Sequence, residues 1–251
     1  MAEENIRQVA SQFIDKLIVY REPAIREKVF LRNIKIIPAD TLADVIMYVI
    51  SRAYKKEKKY LELNSMFTSK ALLKQALGQN GMYELMRVAA AKGYKEFSVF
   101  MLENRSTTAK KEVDEPLQDP KIDGLPIGLR KTMSKSHNRD TIEKLLYDQE
   151  PSVINVLLSN PRITETDIIK IVSRRPNTEE ILRTVYSSQR WKYRYRIQCS
   201  LAMNPYTPAD ITLGILPELF SADLSKIIND SRLSDIVRLQ ARIILKQDIV
   251  L

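Results

Sequence analysis

The sequence predicts an all-α protein, an N-terminal helical bundle followed by a short array of repeated helical units. Three observations carry that expectation. Only six Gly occur in 251 residues and aromatic residues make up 7%, which disfavours sandwiches, barrels and Gly-rich nucleotide folds. Apolar residues return at steps of three and four through most of the chain. The second half also contains a turn motif that occurs twice.

Residues 4–20 place Ile6, Val9, Phe13, Leu17 and Tyr20 on one side, with Gln8, Ser11, Asp15 and Lys16 between them, the pattern of a helix buried on one face. Pro23 starts a shorter helix in its first turn. Asp40 has the character of an N-cap for a long helix with the stripe Leu42, Val45, Ile46, Val49, Ile50 and Ala53. That helix is expected to end in the lysine-rich run from Tyr54 to Tyr60, whose cations suit the negative end of a helix dipole. Thr68 or Ser69, Asn80 with Gly81, and Gly93 punctuate three further short helices. Residues 1–103 therefore read as a bundle domain. Residues 104–125, rich in Ser, Thr, Asp and Pro, read as a linker, and Ile122 to Leu129 is expected to dock on the repeat domain of residues 126–251.

Within that domain Leu157-Leu158-Ser159-Asn160-Pro161 returns as Leu201-Ala202-Met203-Asn204-Pro205. Asn160 to Asn204 is a step of 44; Thr164 to Thr207, Asp167 to Asp210 and Val185 to Ile228 are steps of 43; Trp191 to Leu233 and Cys199 to Ala241 are steps of 42. Asn ends a helix because it tolerates the left-handed cap, and the adjacent Pro stops continuation. Thr164 with Asp167, and Thr207 with Asp210, have the spacing of a capping box, and Pro208 suits a first helical position. A unit of a few short helices cannot bury its apolar side alone, so units are expected to stack.

These Asn-Pro turns, with Asp230 and Val237-Arg238 behind them, resemble the HEAT-like and leucine-rich-repeat-variant class of bacterial α-solenoids over residues 140–247. The resemblance implies a curved helical array that serves as an interaction surface, and it implies no chemistry. The unit here is longer than the variant repeat of about two dozen residues, and the cysteine cluster that can accompany that family is missing.

A net charge of +9 favours acidic or polyanionic partners. The densest stretch is residues 170–196, where eight basic side chains face only Glu179 and Glu180 and alternate with Trp191, Tyr193 and Tyr195. Arg174, Arg175, Arg190, Trp191, Lys192, Arg194 and Arg196 are the candidate binding residues, the cations suited to carboxylates or phosphates and the aromatics to stacking or anchoring. A competing assignment puts Trp191 in the core slot that Leu233 fills one unit on, and Arg196 in a structural ladder with Arg238. Arg190 to Ile197 also alternates with period two, as a strand does, but the repeat assigns it to a helical slot. Cys199, aligned with Ala241, reads as a small buried side chain, and His137 as an exposed residue before a helix. With one Cys and one His, and no phosphate loop, nucleophile elbow or zinc-helix motif, no catalytic residue, metal site or cofactor is expected.

The expected function is a non-enzymatic protein-protein interaction scaffold or regulatory module whose partner is an acidic protein or peptide. The alternative is DNA or RNA binding through the same basic patch, and the N-terminal bundle is a further candidate for homodimerisation. No apolar run approaches the roughly 20 residues that span a bilayer, and the acidic start from Met1 to Asn5 lacks the basic-then-apolar layout of a secretory signal. A cytoplasmic location without membrane insertion is expected.

Overall fold

The computed structural model describes residues 2–94, 97, 122 and 124–249, and every regular element among them is helical. Their contacts form two compact units. The first holds 2–94 and 97 together with 213–224 and 239–249, and the second holds 122, 124–212 and 225–238. The sequence had joined 126–251 into one body; the structure places 213–224 and 239–249 in the first unit instead. The expected linker lies outside the described residues apart from Ile122, Gly124 and Leu125. Ile122 is buried, whereas Ile127 and Leu129 are exposed, so the expected docking stretch is buried only at its start.

In the first unit α1 (Ala2–Ile18), α2 (Pro23–Ile34), α3 (Ala39–Tyr54), α4 (Lys58–Phe67) and α5 (Lys70–Ala91) follow one another through short turns. Helix α3 is central, packing against α1, α4 and α5 and burying Leu42, Val45, Ile46, Val49, Ile50 and Ala53 as its periodicity predicts. Phe13, Phe30 and Phe67 from three helices meet at ring separations of 5.1–6.0 Å, each buried. A fully buried Phe of this kind contributes about 1.5–3 kcal/mol of transfer free energy. Segments from late in the chain complete the unit. Asn64 donates to the Gly214 carbonyl at 3.3 Å, Lys56 to the Leu219 carbonyl at 3.3 Å, and Gln240 hydrogen-bonds the Tyr54 hydroxyl.

Two boundaries differ from expectation. Pro38 stands at the N-cap position of α3, and Asp40 lies inside the first turn, where Lys92 pairs with it and with Asp44. The lysine run does not end α3 as a solvated tail. Lys56 adopts a positive φ of 55°, the chain turns, and Lys58 and Lys59 open α4. Helix α5 runs through Asn80 and Gly81 and kinks at Gly78, whose φ of 66° and ψ of −175° leave the helical region.

The second unit contains α6 (Ile127–Met133), α7 (Arg139–Leu145), α8 (Pro151–Leu158), α9 (Glu165–Ser173), α10 (Glu179–Ser187) and α11 (Tyr195–Ala202). Alternate helices pack on one another: α8 on both α6 and α10, and α9 on α11. Arg139 at the start of α7 ties that helix to α9 through a two-bond fork onto the Asp167 carboxylate. Beyond them lie α12 (Ala209–Ile215), a single 3-10 turn at Leu216–Glu218, α13 (Ser221–Asn229) and α14 (Asp235–Ile249).

The two Asn-Pro corners have matching surroundings. The Asn160 amide donates to the carbonyls of Ser134 and Ser136, both at 2.8 Å, and its oxygen accepts the Arg162 N–H. The Asn204 amide donates to the carbonyls of Val172 and Arg174 at 2.5 and 3.0 Å, and its oxygen accepts the Tyr206 N–H. Each buried Asn thus ties its corner to the C-terminal end of an earlier helix while closing its own turn. Asp148 and Asp230 form the same turn, accepting the N–H of Glu150 and of Arg232.

Helix starts revise the register between the units. Helices α9 and α12 both begin five residues after their Asn, so the step of 44 persists into them. Thr164 caps α9 in a full capping box with Asp167, but Thr207 corresponds to buried Ile163, its hydroxyl has no partner among the described residues, and Pro208 accepts the first bonds of α12 from outside the helix. Later pairs are Val185 with Ile227 and Trp191 with Leu233 at 42, then Leu201 with Ala241 at 40, every one of them buried. Cys199 therefore matches exposed Leu239, not Ala241, and is half-buried.

Candidate functional site

The seven candidate residues do not form one patch. Arg174 reaches the Asp148 carbonyl, before the start of α8, and Arg190 reaches the Asn160 carbonyl, after its end. An eight-residue helix is about 12 Å long, so the cationic stretch of the sequence divides between the two ends of α8.

At the C-terminal end, residues 188–194 make helical turns, not a strand, closed by bonds from the Trp191 and Lys192 N–H groups to the Ser188 carbonyl and from Arg194 N–H to the Trp191 carbonyl. Trp191 is 3% exposed and its indole donates to the Leu158 carbonyl at 2.9 Å. It is the loop's anchor, in the core slot that Leu233 fills further on, and not a free stacking platform. Arg190 lies over its ring at 4.6 Å from the centroid, a contact of about 0.5–1 kcal/mol at an exposed site. Lys192 sits over the rings of Tyr186 and Tyr193 at 5.1 and 5.4 Å. Tyr193 is 53% exposed, the Arg194 side chain 58%, and Arg196 is exposed in the first turn of α11. Glu165, 3.8 Å from Arg194, offsets that charge weakly across solvent.

Arg162, outside the charged run of the sequence, is exposed on the same Asn160 corner that Arg190 reaches. Arg139 also lies outside that run, and its fork onto Asp167 leaves 44% of its side chain exposed. Burial would push the Asp167 carboxyl up, but the Arg139 guanidinium and the Thr164 hydroxyl and N–H hold it down at about 2. Arg183, also in the charged run, is engaged structurally, forked onto Asp210 at 2.9 Å for each bond.

The loop opens beside a groove of about 600 Å³ between α8 and α10, lined by Ser152, Asn155, Ser159, Thr184, Ser187 and Ser188 among others. Short hydroxyl and amide side chains there offer donors and acceptors at little cost in rotamer entropy. At the other end of α8, Arg174 and Arg175 line a separate cavity of about 160 Å³.

His137 is exposed, one residue before the Asn138 cap of α7. Among the described residues no cluster of His, Cys, Asp and Glu is placed to hold a metal ion, and no helix is long and apolar enough to cross a membrane. No protein-family model matches the chain, and comparisons with curated proteins and with solved structures likewise return no match.

Proposed function

We propose that the protein is a non-enzymatic interaction module of the cytoplasm, a HEAT-like helical array that receives an acidic segment of a partner protein along the α8–α10 groove and the 188–196 loop. The observation that carries this reading is the loop itself. Arg190, Lys192, Arg194 and Arg196 lie within seven residues, interleaved with aromatic rings and fixed to the second unit by a buried Trp191. Pre-positioned cations lose little entropy on binding, and the hydroxyl-lined groove beside them suits an extended polar backbone.

The test uses the full chain, an oligo-glutamate peptide and a short DNA duplex, titrated at low and physiological salt. Arg190 lies over Trp191, so a bound acidic segment that moves the guanidinium should alter indole fluorescence. Saturable peptide binding that falls by about tenfold or more in Arg190→Glu/Arg194→Glu supports the proposal. Duplex binding with a steep salt dependence, and no peptide binding, would assign the loop to nucleic acid instead.

A further inference from the structure

The cavity at the other end of α8 is lined by Tyr147, Gln149, Arg174, Arg175, Asn177 and Thr178, with Pro176 and Ile181 as apolar wall. Arg174 is unusual for a guanidinium. Its Nε donates to the Ile171 carbonyl at 3.4 Å and both terminal nitrogens converge on the Asp148 carbonyl at 3.2 Å. No carboxylate among the described residues pairs with it. The neighbouring Asp148 carboxylate, fully buried, is taken by Arg130 at 2.7 Å. Arg175, which also lines the cavity, donates to the Met203 carbonyl at 2.8 Å. Desolvation lowers the Arg174 pKa to about 10, a shift that Asp148 only partly opposes, as for a half-buried cation whose counter-charge is incomplete.

Three bonds to carbonyl oxygens leave two of the five guanidinium N–H groups of Arg174 without an acceptor among the described residues. A half-buried cation in this state is stabilised when an anion joins it. The cavity of about 160 Å³ is roughly five times the volume share of one liquid water. That admits a carboxylate and a short aliphatic stem, and is below the roughly 300 Å³ at which pockets for larger ligands begin. Pro176, Ile181 and the Tyr147 ring supply apolar surface for the stem.

We infer that this cavity is a second, separate binding site that takes a carboxylate on a short aliphatic stem through Arg174. The source is the acidic side chain of a partner protein or a free dicarboxylate. The site is independent of the 188–196 loop, so each stands or falls alone.

The experiment is an amide and Arg Nε–H NMR titration of the full chain with glutarate, with the blocked peptide Ac-Ala-Glu-Ala-NH2, and with inorganic phosphate. Glutarate or the peptide should give saturable shifts confined to residues 147–149 and 174–181, including the Arg174 Nε–H. Stronger binding of the peptide identifies an acidic side chain as the source, and stronger binding of glutarate a free acid. Arg174→Met, which removes a half-buried charge, should abolish these shifts. Gln149→Glu, at an exposed rim position, should weaken them by about tenfold through a tethered competing carboxylate. Arg190→Glu/Arg194→Glu should leave them unchanged. Absent or non-saturable shifts, shifts retained in Arg174→Met, shifts undiminished in Gln149→Glu, or phosphate binding as tight as glutarate overturn the assignment.

Discussion

Replacing Asn204 by Ala probes how the repeated corners hold the second unit together. The side chain is 2% exposed and makes three hydrogen bonds, to the Val172 and Arg174 carbonyls and from the Tyr206 N–H. Alanine strands all three partners. A buried unsatisfied group costs about 1–3 kcal/mol, and two of these partners lie in part-buried surroundings where water relieves some of the loss. The expected destabilisation is therefore about 3 kcal/mol. With a urea slope near 2 kcal/mol per molar, the midpoint falls by about 1.5 M. Trp191 is the only Trp in the chain and is buried in the second unit, so its fluorescence reports this unit's unfolding. Asn160→Ala strands an equivalent set, the Ser134 and Ser136 carbonyls and the Arg162 N–H, and should lose stability to within about 1 kcal/mol of the first variant. A loss at one corner only, or below about 1 kcal/mol at both, would refute their equivalence.

Trp191→Phe removes the bond to the Leu158 carbonyl and part of the core volume, and should cost about 2–3 kcal/mol by circular dichroism, whereas Arg190→Ala should stay within about 1 kcal/mol of wild type. The Asp167 carboxyl, at about 2 when folded, lies below its unfolded value of about 3.9. Its contribution of about 2 kcal/mol is complete above about pH 4 and lost as pH falls toward 2. Denaturant unfolding of Asp167→Asn should lack that increment at neutral pH and show a flatter slope through the window. Gly78→Ala meets no atom within 4 Å yet places a Cβ at a φ of 66°, and should lower thermal stability by about 1–3 kcal/mol from backbone strain alone.

Periodicity made the helical class legible, because the stripe of α3 and the capping box at Thr164 are written in local residue order. Register was harder. Thr207 matches Thr164 in type, but the corner is fixed by Asn204, so the second Thr falls one place early and occupies the position of Ile163. Cap geometry, not residue identity, sets the count, and the misplaced alignment carried Cys199 into the wrong slot. The lysine run at 55–59 reads as a helix end, and only the positive φ of Lys56 reveals a turn between two helices. The basic run at 170–196 is continuous in sequence, but α10 lies between its two parts, and their guanidinium groups reach opposite ends of α8. Sequence proximity carries no information about that separation. Membership of 213–224 and 239–249 in the first unit rests on long-range contacts such as Asn64 to Gly214, which leave no local signal.

Hydrogen-exchange mass spectrometry of the full chain with and without an oligo-glutamate peptide reads the proposed surface without altering it. Slowed exchange should appear over 184–196 and along 152–159, and vanish in Arg190→Glu/Arg194→Glu. Protection confined to the first unit, or protection that persists in the charge-reversed variant, would show that the basic loop is not where an acidic partner lands.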